Sequence, residues 1–147
     1  MTEEQAAFQY LGDVLKANDD VAALVGARVH RAEAPQNATF PYIIFNLQSP
    51  GNDRNRPGAD GRMMSRALWL IKAVTKGSAS SGFAAADAIA AAIDAALVGS
   101  TGQVTSGDQT FTILSIFRTG PVAFLEKADS IRYHHAGGLY RIQVTRL

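Results

Sequence analysis

The sequence predicts an α+β fold: a twisted, mostly antiparallel sheet of about four to five strands, with an N-terminal helix and one central alanine-rich helix packed on one face. Three observations predict it. Two apolar runs, at residues 42–48 and 67–74, are rich in the β-branched and aromatic residues that fit a pleated surface. Between residues 81 and 98, Phe83, Ala86, Ile89, Ala90, Ile93 and Leu97 recur every three or four positions, the period of a helix. Near the C-terminus Tyr140, Ile142 and Val144 alternate with Arg141, Gln143 and Thr145, the pattern of a strand with one wet face. The first two runs do not alternate. Strands apolar on both sides need cover on both faces, which places them at the centre of the sheet.

Taken in order, Thr2 followed by Glu3 and Glu4 reads as a helix start: a capping hydroxyl, then acids at the positive end of the dipole. Phe8, Leu11, Val14 and Leu15 form the apolar stripe of that helix, and Asn18 ends it. Asp19 and Asp20 are expected to cap a short second turn over 21–25, which Gly26 stops. Residues 28–30 are a short extended piece and 35–39 a loop. The strands at 42–48 and 67–74 form a hairpin around a long polar insert at about 49–66, which contains Pro50, Gly51, Pro57, Gly58 and Gly61 and almost no large apolar side chain. Such a finger cannot join the core and is the first place to look for function.

A turn over 76–82 leads into the helix at 81–98, mostly alanine, the best helix former, with Gly99 after its end. Residues 100–108 read as loop and 109–118 as a strand broken by Gly120 and Pro121. Residues 122–130 fit either a loop or a bent edge. The last strand runs from 131 to the C-terminus, with a bulge or tight bend expected at Gly137 and Gly138.

A length of 147 residues fits one domain, 1–147, with a real core. Hydrophobic content of 47% and charged content of 18% belong to a globular chain, not a disordered one. The absence of cysteine excludes disulfide scaffolds, thiolate metal sites and cysteine nucleophiles. The acidic start lacks the apolar segment of a signal peptide, and no run approaches the ~20 apolar residues that cross a bilayer, so no membrane partner is expected. A net charge of +1 makes no global case for nucleic acid. Charge is nonetheless uneven. Residues 1–20 set five carboxylates against Lys16, whereas 50–66 set Arg54, Arg56, Arg62 and Arg66 against two aspartates. An acidic first element and a basic finger could meet between identical subunits, or both could simply be solvated surfaces.

Catalytic and cofactor chemistry has little to stand on. His134 and His135 are adjacent in a strand and point to opposite faces, so they cannot share a metal without a bulge. Ser78, Ser80 and Ser81 precede a helix and lack a nucleophile elbow, so capping explains them. The segment 77–82 matches neither phosphate-binding glycine pattern. Asp87 and Asp94 are two helical turns apart on a polar side, and Trp69 within an apolar strand belongs to the core. No aromatic residue interleaves with the arginines of the finger, so base stacking is not offered there. The expectation is no catalytic residue, no metal and no cofactor.

Three segments in order carry a resemblance: LVGARVH at 24–30 followed by Ala34 and Pro35, FPYIIF at 40–45, and YHHAGGLYRIQV at 133–144, with the alanine-rich helix between them. Over nearly its whole length the chain resembles the tail-completion or tail-terminator proteins of long-tailed phages, prophages and gene transfer agents. The resemblance implies a non-enzymatic virion protein, assembled in the host cytoplasm and located at the tail–neck junction. It implies a homo-oligomeric ring, typically a hexamer, at the head-proximal end of the tail tube. That ring would end tube polymerisation, meet the head–tail connector or stopper protein, and pass DNA through its channel without reading sequence. Arg54, Arg56, Arg62 and Arg66 are then candidate interface or channel-facing residues. Alternatives from the sequence are another neck protein, such as a head-closure or minor tail protein, or a small-ligand-binding domain with its site under the finger.

Overall fold

The computed structural model describes residues 1–49, 51, 54–55 and 62–146, apart from the side chains of 54, 55, 62, 63 and 79. Its helices are α1 (Glu3–Ala17), α2 (Asp19–Val25) and α3 (Ala79–Leu97). Its strands are β1 (Val29–Arg31), β2 (Tyr42–Ser49), β3 (Arg54–Asn55), β4 (Arg62–Lys76), β5 (Gly102–Ser106), β6 (Gln109–Ala128) and β7 (Ile131–Arg146). The strands form one sheet in the order β1-β2-β4-β7-β6-β5, with β3 added to β4. Only the β1–β2 pairing is parallel. The mixed α+β class is as predicted, and among the described residues the sheet has seven strands, two of them of three residues or fewer, where about four to five were expected.

The α1 start is set by a reciprocal capping box. The Gln5 backbone N–H donates to Thr2 Oγ1 at 3.2 Å, and the Thr2 N–H donates to Gln5 Oε1 at 2.8 Å. Asn18, not Asp19 or Asp20, caps α2: its side chain accepts from the Val21 N–H at 3.0 Å, and the two aspartates occupy the first turn. Helix α3 begins at Ala79 with Ser78 as its N-cap residue, earlier than the apolar stripe suggested.

The core lies between the helices and one face of the sheet. Ile43 and Phe45 of β2, Ala67, Trp69 and Ile71 of β4, Tyr140, Ile142 and Val144 of β7 and Phe111 and Ile113 of β6 meet Leu11 and Leu15 of α1 and Ile89, Ile93 and Leu97 of α3, all buried. The apolar composition of α3 over Ser80–Leu97 reaches that of a membrane-crossing helix, above what the sequence expectation allowed. One side of it, with Ala86, Ile89, Ile93 and Leu97, packs inward.

Three further expectations need correction, and the open choice at residues 122–130 is decided for strand over 122–128. Residues 102–106 form β5, whose only buried side chain is Val104. It turns into β6 through Gly107 (φ +59°) and Asp108, a Gly-Asp pair that is itself a hairpin signal. Strand β6 does not break at Gly120 and Pro121. It slips register between Arg118 and Gly120 and continues to Ala128, and because β5 pairs only with 109–113, Pro121 sits on an open edge where its missing N–H costs nothing. Residues 122–128 are therefore strand. They connect to β7 by a two-residue turn, Asp129 and Ser130, both at positive φ, as a hairpin of matching twist requires. Finally, the glycine pair in β7 makes no bulge: β7 pairs with β4 without interruption from Met64↔Thr145 to Lys76↔Tyr133. The glycines are there for close approach, since a Cβ on Gly137 would lie 2.1 Å from the Ile71 carbonyl oxygen.

Candidate functional site

Strand makes up much of the described part of the finger. Part of its sequence is the start of β4, because Arg62 to Arg66 already lie in that strand. Its backbone pairs β3 with β4 at Arg54↔Met64 and Asn55↔Arg62. Arg56 lies outside the described residues, as do the side chains of Arg54 and Arg62. Arg66 is the candidate whose side chain is described. It stands beside Gln143 of β7. With the Gln143 amide oriented to satisfy its neighbours, the Arg66 Nε donates to the amide oxygen at 2.6 Å and the amide nitrogen donates to Ser115 Oγ at 2.9 Å.

Arg66 belongs to a larger surface that the sequence did not single out. Strand residues alternate in direction, so those opposite the core residues make a second face of the sheet, which no described helix covers. The register lines it up in rows: Tyr42, Val74, His135 and Phe124; then Ile44, Lys72, Gly137 and Val122; then Leu70 and Leu139; then Leu68, Arg141 and Phe117; then Arg66, Gln143 and Ser115. Most of its apolar members are half-buried, and Phe117 and Phe124 are 43% exposed each. Charge on its strands is one-sided. Of the described side chains directed to this face, Arg66, Lys72, Lys76 and Arg141 stand against Glu126.

One cluster on this face is tightly built. The Phe124 ring stacks on His135 at 4.2 Å and 11°, the His135 Nε2 donates to Glu126 Oε2 at 3.0 Å, and the Lys72 ammonium lies 4.9 Å from the Phe124 centroid. Burial pushes the Lys72 pKa below the usual lysine range, with Glu126 pulling it back. Burial, then the positive Lys72, pushes His135 below the usual histidine value, and the Glu126 hydrogen bond opposes both. Its Nδ1 is buried without a partner. At the end of the face Phe40, Tyr42 and Tyr133 pack as neighbouring rings, Phe40 at 5.0 Å and 5.5 Å from the other two.

A pH dependence follows. A histidine whose pKa is lower folded than unfolded binds its proton more readily in the unfolded chain. Its contribution is complete above the unfolded value of about 6.5 and is lost as pH falls from there toward the folded value. Stability should therefore decline below about pH 6.5, and His135→Gln should flatten that decline. Urea midpoints measured between pH 7.5 and 5 check this. An unchanged slope in the variant would contradict it.

His134 points the other way, as the alternation required. Its ring meets Phe83 of α3 at 4.3 Å, so the two histidines do not converge. Among the described residues there is no group of three His, Asp or Glu side chains placed to hold a metal. Asp94 of α3 accepts from the Tyr140 hydroxyl at 3.0 Å and faces Arg118 Nε at 4.0 Å, fixing helix to sheet; burial holds the Tyr140 hydroxyl well above the ordinary tyrosine value. Asp87 is on the exposed side of the same helix. An open groove of about 990 Å³ lies between α1 and the β1 edge, and the guanidinium of Arg31 caps the Phe8 ring there at 3.5 Å. Its ionisable lining of Asp13, Lys16, His30, Arg31 and Glu33 forms no hydrogen-bonded pair of nucleophile and base among the contacts described. The site is thus a surface: a broad, half-buried, basic and aromatic sheet face.

The family model described as tail completion protein gp17 matches residues 9–145. Among solved structures, a chain from the virion of a native gene transfer agent (GTA) particle is similar at a TM-score of 0.65. It is 23% identical, and the match covers 98% of each chain; at that identity the likeness speaks for the fold. A second solved chain, at a TM-score of 0.46 and 18% identity over 91% of this chain and 94% of that one, carries no argument. No curated protein matches the sequence.

Proposed function

Because this chain belongs to the tail completion protein gp17 family, and so is a structural protein of a phage-type tail, we propose that it closes the head-proximal end of the tail tube as a homo-oligomeric ring. The family match over nearly the whole chain carries the proposal. In this reading one face of the ring copies the surface to which tube subunits add, and the other does not accept another tube subunit. Polymerisation stops there, and the free face meets the head-side connector or stopper protein. DNA passes through the opening without sequence-specific contact. The work is steric and interfacial, with no catalytic step, no metal and no cofactor.

Two features support it. A ring built from identical subunits by head-to-tail contacts needs two different, complementary patches on each one. The chain has a basic, apolar sheet face on one side and acidic helices on the other. In this reading the arginines of the polar insert, Arg54, Arg56, Arg62 and Arg66, serve as interface or channel-facing groups. Six subunits is the number proposed.

Native mass spectrometry of the purified protein, alone and with tail-tube protein, tests the ring. A closed oligomer in either sample is expected. A strict monomer that ignores tube protein would overturn the proposal and favour another role in the neck. Deleting residues 51–61 should leave the thermal unfolding transition in place, because that stretch of sequence has no large apolar side chain, while joining of tails to heads fails. Tails of normal length that join heads normally in the deletion strain would contradict the role given to the finger.

A further inference from the structure

We infer that the helix-free face of the sheet is the seat of a second copy of this chain, and that the part seated on it is the neighbour's acidic helix layer. The inference rests on the ring reading and specifies its contact.

Residues 42–48 and 67–74 are apolar on both sides, a pattern stable only with cover on both faces. The fold supplies one cover. Trp69, Ile71 and Ile43 are buried beneath α1 and α3. On the opposite face Ile44, Leu68, Leu70 and Leu139 are half-buried and Phe117 and Phe124 exposed. An exposed apolar surface of this continuity on a sheet marks a contact yet to be made.

Charge selects the occupant. The described side chains on this face include Arg66, Lys72, Lys76 and Arg141 against Glu126, so a second basic face brought against it would set like charges together. The three helices carry seven carboxylates, Glu3, Glu4, Asp13, Asp19, Asp20, Asp87 and Asp94, against Lys16. Of these, Asp13, Asp19, Asp20 and Asp87 are exposed. Shape agrees with charge. The outward side of α3 presents Ala84, Ala85, Ala88, Ala91 and Ala95, a smooth surface that lets a helix approach a flat sheet closely. Each copy thus bears the complement of its own sheet face on its opposite side. The contact is heterologous, and repeated with a closing rotation it makes a ring.

The absence of native cysteine allows a direct test on the assembled protein, alone or with tail-tube protein. Leu70→Cys places a thiol on the sheet face and Ala88→Cys one on the outer side of α3. With a short bismaleimide, the double variant should give a ladder of covalent multimers, and each single variant should stay monomeric. A dimer from Leu70→Cys alone would show the sheet faces meeting each other and overturn the inference. So would cross-linking of Leu70→Cys to tube protein in place of a second copy. A native-mass oligomer with no ladder would overturn this contact while leaving the ring standing, whereas no oligomer under any condition overturns the ring and the contact with it. As an independent variant, Lys72→Glu with Arg141→Glu should abolish assembly, and adding Asp19→Lys with Asp87→Lys in the same chain should restore it. Unaltered assembly in the first pair, with the fold intact by circular dichroism, would also sink the inference.

Discussion

Trp69→Ala is expected to lower unfolding stability by about 3–5 kcal/mol, the range for removing a large aromatic side chain from a packed core. Trp69 is fully buried in the middle of β4, between its register partners Leu47 and Tyr140. Phe8 of α1 meets it edge-on, with ring centroids 4.5 Å apart, so the side chain joins helix and sheet as well as filling volume. The loss combines transfer of the indole with a cavity that two rigid elements cannot close. Denaturant unfolding followed by far-UV circular dichroism is the right measurement, because the protein has one tryptophan and the variant loses it as a fluorophore. Trp69→Phe supplies the contrast. The indole N–H is buried without a partner, and phenylalanine removes that unpaired donor while keeping most of the apolar contact. Its cost should stay below about 1.5 kcal/mol. If alanine cost less than phenylalanine, the packing account of this position would be wrong.

Gly137→Ala is the second large effect, expected at roughly 2–4 kcal/mol of destabilisation despite adding a single methyl group. The added carbon would lie 2.1 Å from the Ile71 carbonyl oxygen and 2.5 Å from the Lys72 Cα. Both are backbone atoms of β4 and cannot swing aside as a side-chain end could. Relief requires moving β4 away from β7, along the longest uninterrupted pairing of two central strands. Gly120→Ala is the control. It is also a strand glycine, yet a Cβ there meets nothing within 4 Å, and the change should fall within about 0.5 kcal/mol of neutral. Equal thermal midpoints for the two alanine variants would refute the close-approach explanation. Because Gly137 lies in the row of Ile44 and Lys72, strain there also displaces the sheet face, so assembly should weaken in parallel with stability.

Much of the fold was legible because it is written in short-range pattern. The stripe of α1, the alanine and isoleucine period of α3, the strands at 42–48 and 67–74, and the alternation in β7 each depend on residues a few positions apart. The opposite directions of His134 and His135 followed from the same alternation. Where local signals competed, the reading went astray. Gly120 and Pro121 look like a break, but on an open edge proline omits no hydrogen bond. Gly137 and Gly138 look like a bulge, but Gly137 serves a backbone that comes close from 65 residues earlier in the chain, and Gly138 lies against Arg118 and Gly120 of β6. Residues 102–106 are too polar to stand out as a strand, and only their pairing with β6 makes them one.

The candidate site divides the same way. That Arg54, Arg56, Arg62 and Arg66 make one stretch basic is a property of the sequence. That Arg66 rests on Gln143, in line with Arg141, Lys72 and Lys76 on a face free of helices, is a property of the register. The sequence by itself determined the helices, the central strands, the missing thiol chemistry, the acidic character of the helices and the requirement that both faces of β2 and β4 be covered. The tertiary structure alone decided that the described helices cover one of those faces and leave the other free of helix. The physical reason is that an apolar strand records only its need for cover. Whether that cover comes from its own helix or from another molecule depends on where the rest of the chain goes.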